Sequence, residues 1–124
     1  MTEYKVRDIT LAEKGRVAVE WARKHMPVVE RLRSSFSKTK PLRGVRIAAC
    51  MHVTKETAVL MLALRDAGAE VALSASNPLS TQDHVAAYLA TEGIHVYAWR
   101  GMTQEEYFGA IAAAASLNPQ ITMD

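Results

Sequence analysis

The chain has 124 residues, of which 49% are hydrophobic and 23% charged, a formal net charge of +2 and a single cysteine, Cys50. This length suits one domain, and no apolar run approaches the roughly 18 residues that crossing a bilayer takes. One cysteine excludes an internal disulfide, and the mixed-charge N-terminus contains no signal-peptide core, so we expect a cytoplasmic protein without a membrane span.

Charge is distributed unevenly along the chain. Residues 1–46 hold 12 Lys or Arg against 5 Asp or Glu, a net charge of +7, whereas residues 47–124 hold 3 against 8, a net charge of −5. Such a basic segment can be the footprint of an RNA-binding domain. Here the cations alternate with apolar residues at helical spacing, which favours a solvated helix face or a face docked on an acidic partner. RNA binding is therefore the weakest interpretation, and no nucleic-acid partner is expected.

The first predicted element is an amphipathic helix from Thr10 to about Met26, in which apolar residues recur at steps of three and four. Thr10 can cap this helix, with Glu13 three residues later completing a capping box. Pro27 suits the first turn of a second helix through the segment VVERLRSSF. The segment SKTKPLRG that follows is predicted to be a loop.

After Gly44, short apolar runs alternate regularly with helical stretches. The predicted strands are VRIAAC, EVALSA, IHVYAW and QITMD, and the predicted helices span residues 54–67, 80–91 and 103–116. Thr103 and Glu106 form a capping-box pattern, and Ser80 and Asp83 form a related one. The sequence therefore predicts one short helix between each strand and the next.

This alternation predicts an α/β fold, a doubly wound parallel sheet in the order βαβαβαβ with three layers, preceded by two N-terminal helices. Residues 1–43 are expected to form a helical segment that packs on an α/β domain formed by residues 44–124. The last strand resembles a central strand of a sheet, so the domain is expected to be incomplete at its C-terminal end.

Open parallel sheets bind ligands beyond the carboxyl ends of their strands. The polar residues at those ends carry mostly hydroxyl and amide groups, and neither the Gly-x-Gly-x-x-Gly nor the phosphate-loop pattern occurs in the sequence. Hydroxyls, together with a histidine that titrates near neutral pH and a carboxylate acceptor, suit a ligand rich in hydroxyls and ring nitrogens. A nucleoside fits this description.

The same residues also have structural interpretations. Thr54 can cap the helix that follows it, and Glu56 is favourable beside the positive end of the helix dipole. His52 can be a structural histidine at a strand end. Ser80 and Asp83 are more readily explained as caps than as catalytic residues. From the residues alone, these interpretations remain open beside the nucleoside site.

Four blocks of the sequence together resemble one family. They are YKVRDITLAEKGR, KPLRGVRIAACMHVTKETAVL, SNPLSTQDHVAAYLA and GIHVYAWRGMTQEEY, and in this order they are similar to the N-terminal substrate-binding region of S-adenosylhomocysteine hydrolase. The resemblance implies an NAD-dependent enzyme that reversibly splits S-adenosyl-L-homocysteine into adenosine and L-homocysteine. The implied route is oxidation of the ribose 3′-hydroxyl, elimination of homocysteine, addition of water and reduction of the ketone.

The resemblance also implies roles for individual residues. His52 corresponds to an acid/base histidine near the 5′ carbon, and Thr54 to a threonine that bonds a ribose hydroxyl. Glu56 corresponds to the reader of the adenine amino group, and Thr57 to a contact of the adenine ring. The further positions that the resemblance assigns to substrate binding are Asn77, Ser80, Gln82 and Asp83. No metal ligand is implied.

The resemblance places the NAD-binding domain, and several further catalytic residues, outside these 124 residues. The isolated chain is therefore expected to be inactive, and the full-length protein is expected to be a homotetramer. Two alternatives stay open. The chain can be a non-catalytic interaction or regulatory module derived from the same fold, and the base it accepts can be adenine or the hypoxanthine of inosine derivatives.

Overall fold

The computed structural model describes residues 2–124. Five strands form one parallel sheet in the order β1-β4-β3-β2-β5. The strands are β1 Lys5–Val6, β2 Arg46–Met51, β3 Glu70–Ala75, β4 His95–Ala98 and β5 Ile121–Met123, and the helices are α1 Ala12–Lys24, α2 Pro27–Thr39, α3 Lys55–Asp66, α4 Asp83–Thr91 and α5 Gln104–Ala115. The predicted doubly wound α/β fold is confirmed.

Helices cover the sheet on two sides. The chain passes from β2 through α3 to β3 and through α4 to β4, and these two helices contact each other and α1. The segment from β4 to β5 crosses back, and α5 packs on β2, β3 and β4. The outer helix α2 packs mainly against α3. The result is a central sheet with a thicker helical layer on the side that the N-terminal segment joins.

The core lies along the central strand β3. Its residues Val71 to Ala75 are all buried, as expected for a strand covered by helices on both faces. The neighbouring β2 buries Ile47 and Ala49 almost completely. Small alanine side chains recur in these strands, which lets the helices approach the sheet closely.

Two predicted helix caps are confirmed. The Thr54 hydroxyl accepts from the backbone N–H of Thr57 at the start of α3. At the start of α5, the Thr103 hydroxyl accepts from the N–H of Glu106, while the Glu106 carboxylate accepts from the N–H of Thr103. Both caps depend on residues within one turn of each other, which is why the sequence pattern identifies them.

The predicted capping box of the first helix is wrong. Helix α1 begins at Ala12, and its N-cap residue, Leu11, provides no side-chain hydrogen bond. Instead the Asp8 carboxylate accepts from the N–H of Thr10 at 3.0 Å and from its hydroxyl at 2.6 Å, and caps a short 3₁₀ turn before the helix. The Asp8 carboxylate is charged and therefore a strong acceptor. Because the Thr10 hydroxyl donates to it, this hydroxyl is directed away from the start of the helix that it was expected to cap.

The predicted cap formed by Ser80 and Asp83 is also wrong. Helix α4 begins at Asp83, with Gln82 at its N-cap and no side-chain cap bond. The Asp83 carboxylate instead accepts from the backbone N–H of Arg100, at 3.0 Å, in the loop that follows β4. The local pattern predicts that the Asp83 carboxylate bonds the end of its own helix. In the structure it bonds Arg100 instead, a residue 17 positions away in the sequence.

Further differences concern the strands at the two edges and the second helix. Strand β1 was not predicted, because two residues are too few to show an alternating pattern, and it is held by pairing with β4. Strand β5, predicted to be central, lies at the other edge of the sheet formed by residues 2–124. Helix α2 continues to Thr39, three residues into the predicted loop, and ends where Lys40 adopts φ 48°.

Among residues 2–124, none of the helices combines the length and the apolar character that crossing a membrane requires.

Candidate functional site

A cleft opens beyond the carboxyl ends of β2, β3 and β5. The chain runs from β2 towards β3 and β4 on one side, whereas β5 lies on the other side of β2, so the strand order reverses here. Ligands of doubly wound folds bind at such a reversal. The cleft has a volume of about 270 Å³ and is lined by Cys50, Met51, His52, Thr57, Ser76 and Asp124.

A larger cavity of about 420 Å³ lies between α2 and α3, but its walls are almost wholly apolar. A ligand with several hydroxyls and ring nitrogens needs polar partners when it is buried. Position in the fold and the chemistry of the lining side chains therefore both favour the cleft beside His52.

His52 is exposed at the mouth of this cleft, directly after β2. Its Nδ1 lies 2.9 Å from the Ser76 hydroxyl and 3.5 Å from the Asn77 side-chain nitrogen. The Asn77 side-chain oxygen accepts from the N–H of Leu79, which turns the amide nitrogen towards the ring. Within the part of the chain that the structure describes, Nε2 has no hydrogen-bond partner, so this nitrogen is available to exchange a proton with a ligand.

Thr54 and Thr57 lie on the first turn of α3. The two hydroxyls are 3.4 Å apart, and the Thr54 hydroxyl also accepts from the backbone N–H of Thr57. Gln82 reaches across from the loop before α4, and its side-chain oxygen accepts from the N–H of Lys55 at 3.2 Å. The start of α3 is therefore held from two sides, by its own cap and by a neighbouring loop.

Glu56 lies on the same turn, beside Lys55. The Lys55 Nζ is 3.3 Å from a Glu56 carboxylate oxygen and 5.5 Å from the centre of the Trp21 ring. Burial by itself would raise the pKa of the Glu56 carboxyl, but its own backbone N–H, the Lys55 ammonium and the Thr54 hydroxyl outweigh burial and lower the pKa below its ordinary value. The Glu56 side chain is thus an ionised acceptor at neutral pH.

The structure brings only some of the predicted site residues into the cleft. His52 and Thr57 line it, and Asn77 supports His52 from one side. Thr54 and Glu56 lie on the adjoining turn and do not line the cavity wall itself.

The other three predicted positions lie in and after the loop that connects β3 to α4. Gln82 supports α3, and Asp83 bonds the loop after β4. The Ser80 hydroxyl is buried without a hydrogen-bond partner among residues 2–124. None of these three side chains lines the cleft beside His52.

Among the cleft-lining residues that sequence reasoning gave no role, Ser76 and Asp124 contribute a hydroxyl and a carboxyl group. Ser76 follows β3 and bonds His52, and Asp124 follows β5 and presents a carboxyl group to the same cavity. Both stand at carboxyl ends of strands that flank β2, so the order of strands in the sheet would have identified them. The sequence does not reveal that order.

The cleft does not suit the pyrophosphate of a dinucleotide. The turn from β2 into α3 contains no glycine, and Thr54 occupies the N-cap with its side chain directed at the N–H groups that would bind phosphate. A glycine does follow a strand at Gly101, but that strand is β4, so Gly101 lies outside the turn from β2 into α3. Residues 2–124 also contain no cluster of three His, Cys, Asp or Glu side chains placed to bind a metal ion.

Residues 3–124 match the family model described as S-adenosyl-L-homocysteine hydrolase. The chain is 62% identical over 121 residues to an adenosylhomocysteinase of Aeropyrum pernix, covering 98% of this chain and 29% of the relative. It is 60% identical over 124 residues to an adenosylhomocysteinase of Pyrobaculum aerophilum, covering 100% of this chain and 28% of the relative. An S-inosyl-L-homocysteine hydrolase of Methanopyrus kandleri is 50% identical over 122 residues, with 98% and 29% covered. The chain thus spans less than a third of the length of these curated relatives.

Proposed function

This chain belongs to the S-adenosyl-L-homocysteine hydrolase family, and from that membership we propose that it forms the nucleoside-binding part of an enzyme that reversibly splits S-adenosyl-L-homocysteine into adenosine and L-homocysteine. The main support is the cleft at the strand-order reversal, where His52 and Thr57 meet. Its hydroxyl, imidazole and carboxyl groups match the donors and acceptors of a ribonucleoside.

His52 is proposed to handle protons at the 5′ carbon of the ribose. When the bond between C5′ and sulfur breaks, an acid that protonates sulfur lets homocysteine leave as a thiol. When water adds at C5′, the same imidazole can accept the proton that water loses. The contact of Ser76 with Nδ1 keeps the ring in one orientation and leaves Nε2 without a partner among residues 2–124.

The first turn of α3 is proposed to bind the sugar and the base. Thr54 would bond a ribose hydroxyl, and Thr57 would contact the purine ring. The ionised Glu56 would accept from the exocyclic amino group of adenine, since a carboxylate is an acceptor only. Asn77, Ser80, Gln82 and Asp83 are proposed to support this site, and the contacts of Asn77 with His52 and of Gln82 with Lys55 agree with that role.

NAD, when bound in this family's reaction, supplies the hydride acceptor for the ribose hydroxyl. The cleft does not suit a dinucleotide, and the relatives are more than three times as long as the matched region. We therefore assign the NAD site to residues of the protein other than these 124. The isolated chain is expected to release no homocysteine thiol even when NAD and substrate are supplied.

The remaining proposals concern the setting of the enzyme. We propose that residues 44–124 form the nucleoside-binding domain and that residues 1–43 pack on it. We further propose a cytoplasmic homotetramer for the full-length protein. Sedimentation of that protein would test the tetramer.

The test of the proposed function is the substitution His52→Gln in the full-length protein loaded with NAD. We expect release of homocysteine to fall by about 100-fold or more, as is typical for loss of a general acid/base, while the dissociation constant of adenosine changes little. His84→Gln is the matched control, because His84 lies on α4 outside the cleft. Unchanged turnover in His52→Gln, or equal losses in both variants, would contradict the role of His52.

A further inference from the structure

The Ser76 hydroxyl contacts Nδ1 of His52 at the mouth of the cleft. The two atoms are 2.9 Å apart, within the usual range of a hydrogen bond, whereas the Asn77 side-chain nitrogen lies 3.5 Å from Nδ1. That amide nitrogen is a donor only, while a hydroxyl can donate or accept. Among residues 2–124, Ser76 is therefore the one side chain beside Nδ1 that can accept a hydrogen bond from a protonated Nδ1.

The backbone of Ser76 is fixed from two sides. Its N–H donates to the carbonyl oxygen of Met51, the last residue of β2, at 3.2 Å. Its own carbonyl oxygen accepts from the Tyr107 hydroxyl of α5 at 2.9 Å. Because Met51 immediately precedes His52, the first bond ties the backbone that carries the hydroxyl to the backbone that carries the imidazole. A hydroxyl supported in this way can orient the ring without first being ordered.

The proposed reaction uses Nε2 of His52 in both directions. Nε2 gives a proton to sulfur as homocysteine leaves, and it takes a proton from the water that adds at C5′, so the ring returns to its starting state. Between these two steps the ring is neutral, and its Nε2 must be an unprotonated acceptor. A neutral imidazole carries one ring proton, which must then be on Nδ1. A proton on Nδ1 needs an acceptor, and the Ser76 hydroxyl provides it.

We propose that Ser76 is a positioning residue of this reaction, which accepts from Nδ1–H of His52 and thereby keeps Nε2 as the nitrogen that exchanges protons. This inference rests on the proposed function, because Ser76 acts through His52. Tyr107 is a second positioning residue, since its hydroxyl holds the Ser76 carbonyl. Without the Ser76 hydroxyl, Nδ1 would face only the amide donor of Asn77, which favours the tautomer with its proton on Nε2.

The first measurement is turnover of S-adenosyl-homocysteine by the full-length, NAD-loaded protein with Ser76→Ala. We expect kcat to fall by about tenfold or more, because a ring in the wrong tautomer cannot take the proton of water at Nε2. KM and the dissociation constant of adenosine should change little, because the lost contact is with the imidazole. Ser76→Thr retains a hydroxyl and should restore most of kcat.

Ser37→Ala is the matched control for the loss of a serine hydroxyl. The Ser37 hydroxyl donates to the Ser34 carbonyl on α2, outside the cleft, so this variant should keep the wild-type kcat. Tyr107→Phe loses the bond to the Ser76 carbonyl and keeps the aromatic ring. Because the Ser76 hydroxyl is still present in Tyr107→Phe, we expect its kcat to fall by a smaller factor than in Ser76→Ala.

Nitrogen NMR of the histidine-labelled protein reports the tautomer independently of turnover. The signals of His52 are those that are absent from His52→Gln. At about pH 8, where an ordinary histidine is neutral, we expect the ring proton on Nδ1 in the wild type and in Ser76→Thr. In Ser76→Ala we expect it on Nε2.

The outcomes separate this inference from the proposed function. An unaltered kcat in Ser76→Ala, equal losses in Ser76→Ala and Ser76→Thr, or a wild-type ring proton on Nε2 overturns the inference. The proposed function then stands, provided that His52→Gln still loses turnover. An unaltered kcat in Tyr107→Phe overturns the role of Tyr107. Full turnover in His52→Gln overturns the proposed role of His52 itself.

Discussion

At the scale of single residues, the charge of Glu56 sets the chemistry at the start of α3. Burial by itself would raise the pKa of this carboxyl group, and the backbone N–H of Glu56, the Lys55 ammonium and the Thr54 hydroxyl together reverse that effect. The group therefore remains an acceptor at any pH at which the protein is expected to work. The contacts that lower its pKa also favour the folded state in which they exist.

The first prediction concerns the titration of Glu56. A carboxyl group with a lowered pKa in the folded state stabilises that state above its unfolded pKa, and the stabilisation is lost as pH falls through the lowered value. In Lys55→Met we expect the Glu56 titration midpoint, measured by carboxyl carbon NMR, to move upwards from its wild-type value, because the ammonium is one of the groups that lower its pKa. The same measurement in Lys24→Met should give the wild-type midpoint. An unshifted midpoint in Lys55→Met would mean that the ammonium does not interact with this carboxylate.

At the scale of elements, some polar side chains in and just after the loop between β3 and α4 bond neighbouring elements, whereas another is buried without a hydrogen bond in the described part of the chain. Gln82 and Asp83 bond α3 and the loop after β4. The Thr81 hydroxyl is left without a hydrogen-bond partner among residues 2–124, although the residue is only 2% exposed. A buried hydroxyl without a partner destabilises the fold by the cost of removing it from water.

The second prediction follows from that orphaned hydroxyl. Thr81→Val replaces it with a methyl group of similar shape, so we expect the free energy of unfolding to rise by about 1 kcal/mol. Thr91→Val is the matched comparison, since the Thr91 hydroxyl donates to the Tyr88 carbonyl at 2.6 Å, and this variant should lose about 1 kcal/mol. Denaturant unfolding of both variants measures the two effects. A clear loss of stability in Thr81→Val would show that the hydroxyl is bonded in solution.

At the scale of the whole molecule, the N-terminal segment is part of the fold. Helix α1 packs across α3 and α4, and β1 adds an edge strand to the sheet beside β4. The close approach of α1 to α4 depends on Gly15. A Cβ atom at this position would lie 1.9 Å from the His84 carbonyl oxygen and 2.8 Å from the Tyr88 Cβ.

The third prediction tests this packing. Gly15→Ala forces α1 away from α4, and we expect it to lower the free energy of unfolding by about 3 kcal/mol, as for an overpacked core. Gly109→Ala is the control, because a Cβ on this exposed residue of α5 meets nothing within 4 Å. That variant should gain about 1 kcal/mol from better helix propensity. If Gly15→Ala unfolds like the wild type, α1 does not pack this closely on α4.

The sequence alone determined the alternation of strands and helices from residue 45 onwards. Long apolar runs, the cap at Thr54 and the capping box at Thr103 all depend on residues within a few positions of each other. Local hydrogen bonds and periodic burial leave a clear trace in the order of residues. The proposed nucleoside site could be placed at strand ends for the same reason, since each strand ends where its apolar run ends.

Only the tertiary structure decided which strands are neighbours and which side chains meet. The pairing of β1 with β4, the contact of Ser76 with His52 and the bond from Asp83 to Arg100 join residues between 17 and 92 positions apart. The energy of such contacts depends on distance in space, and the order of residues carries no direct record of it. The Lys55 and Glu56 pair depends on both sequence and tertiary structure. The two residues are adjacent in the sequence, but Trp21 and Gln82, which belong to other elements, contact Lys55 and hold it in place.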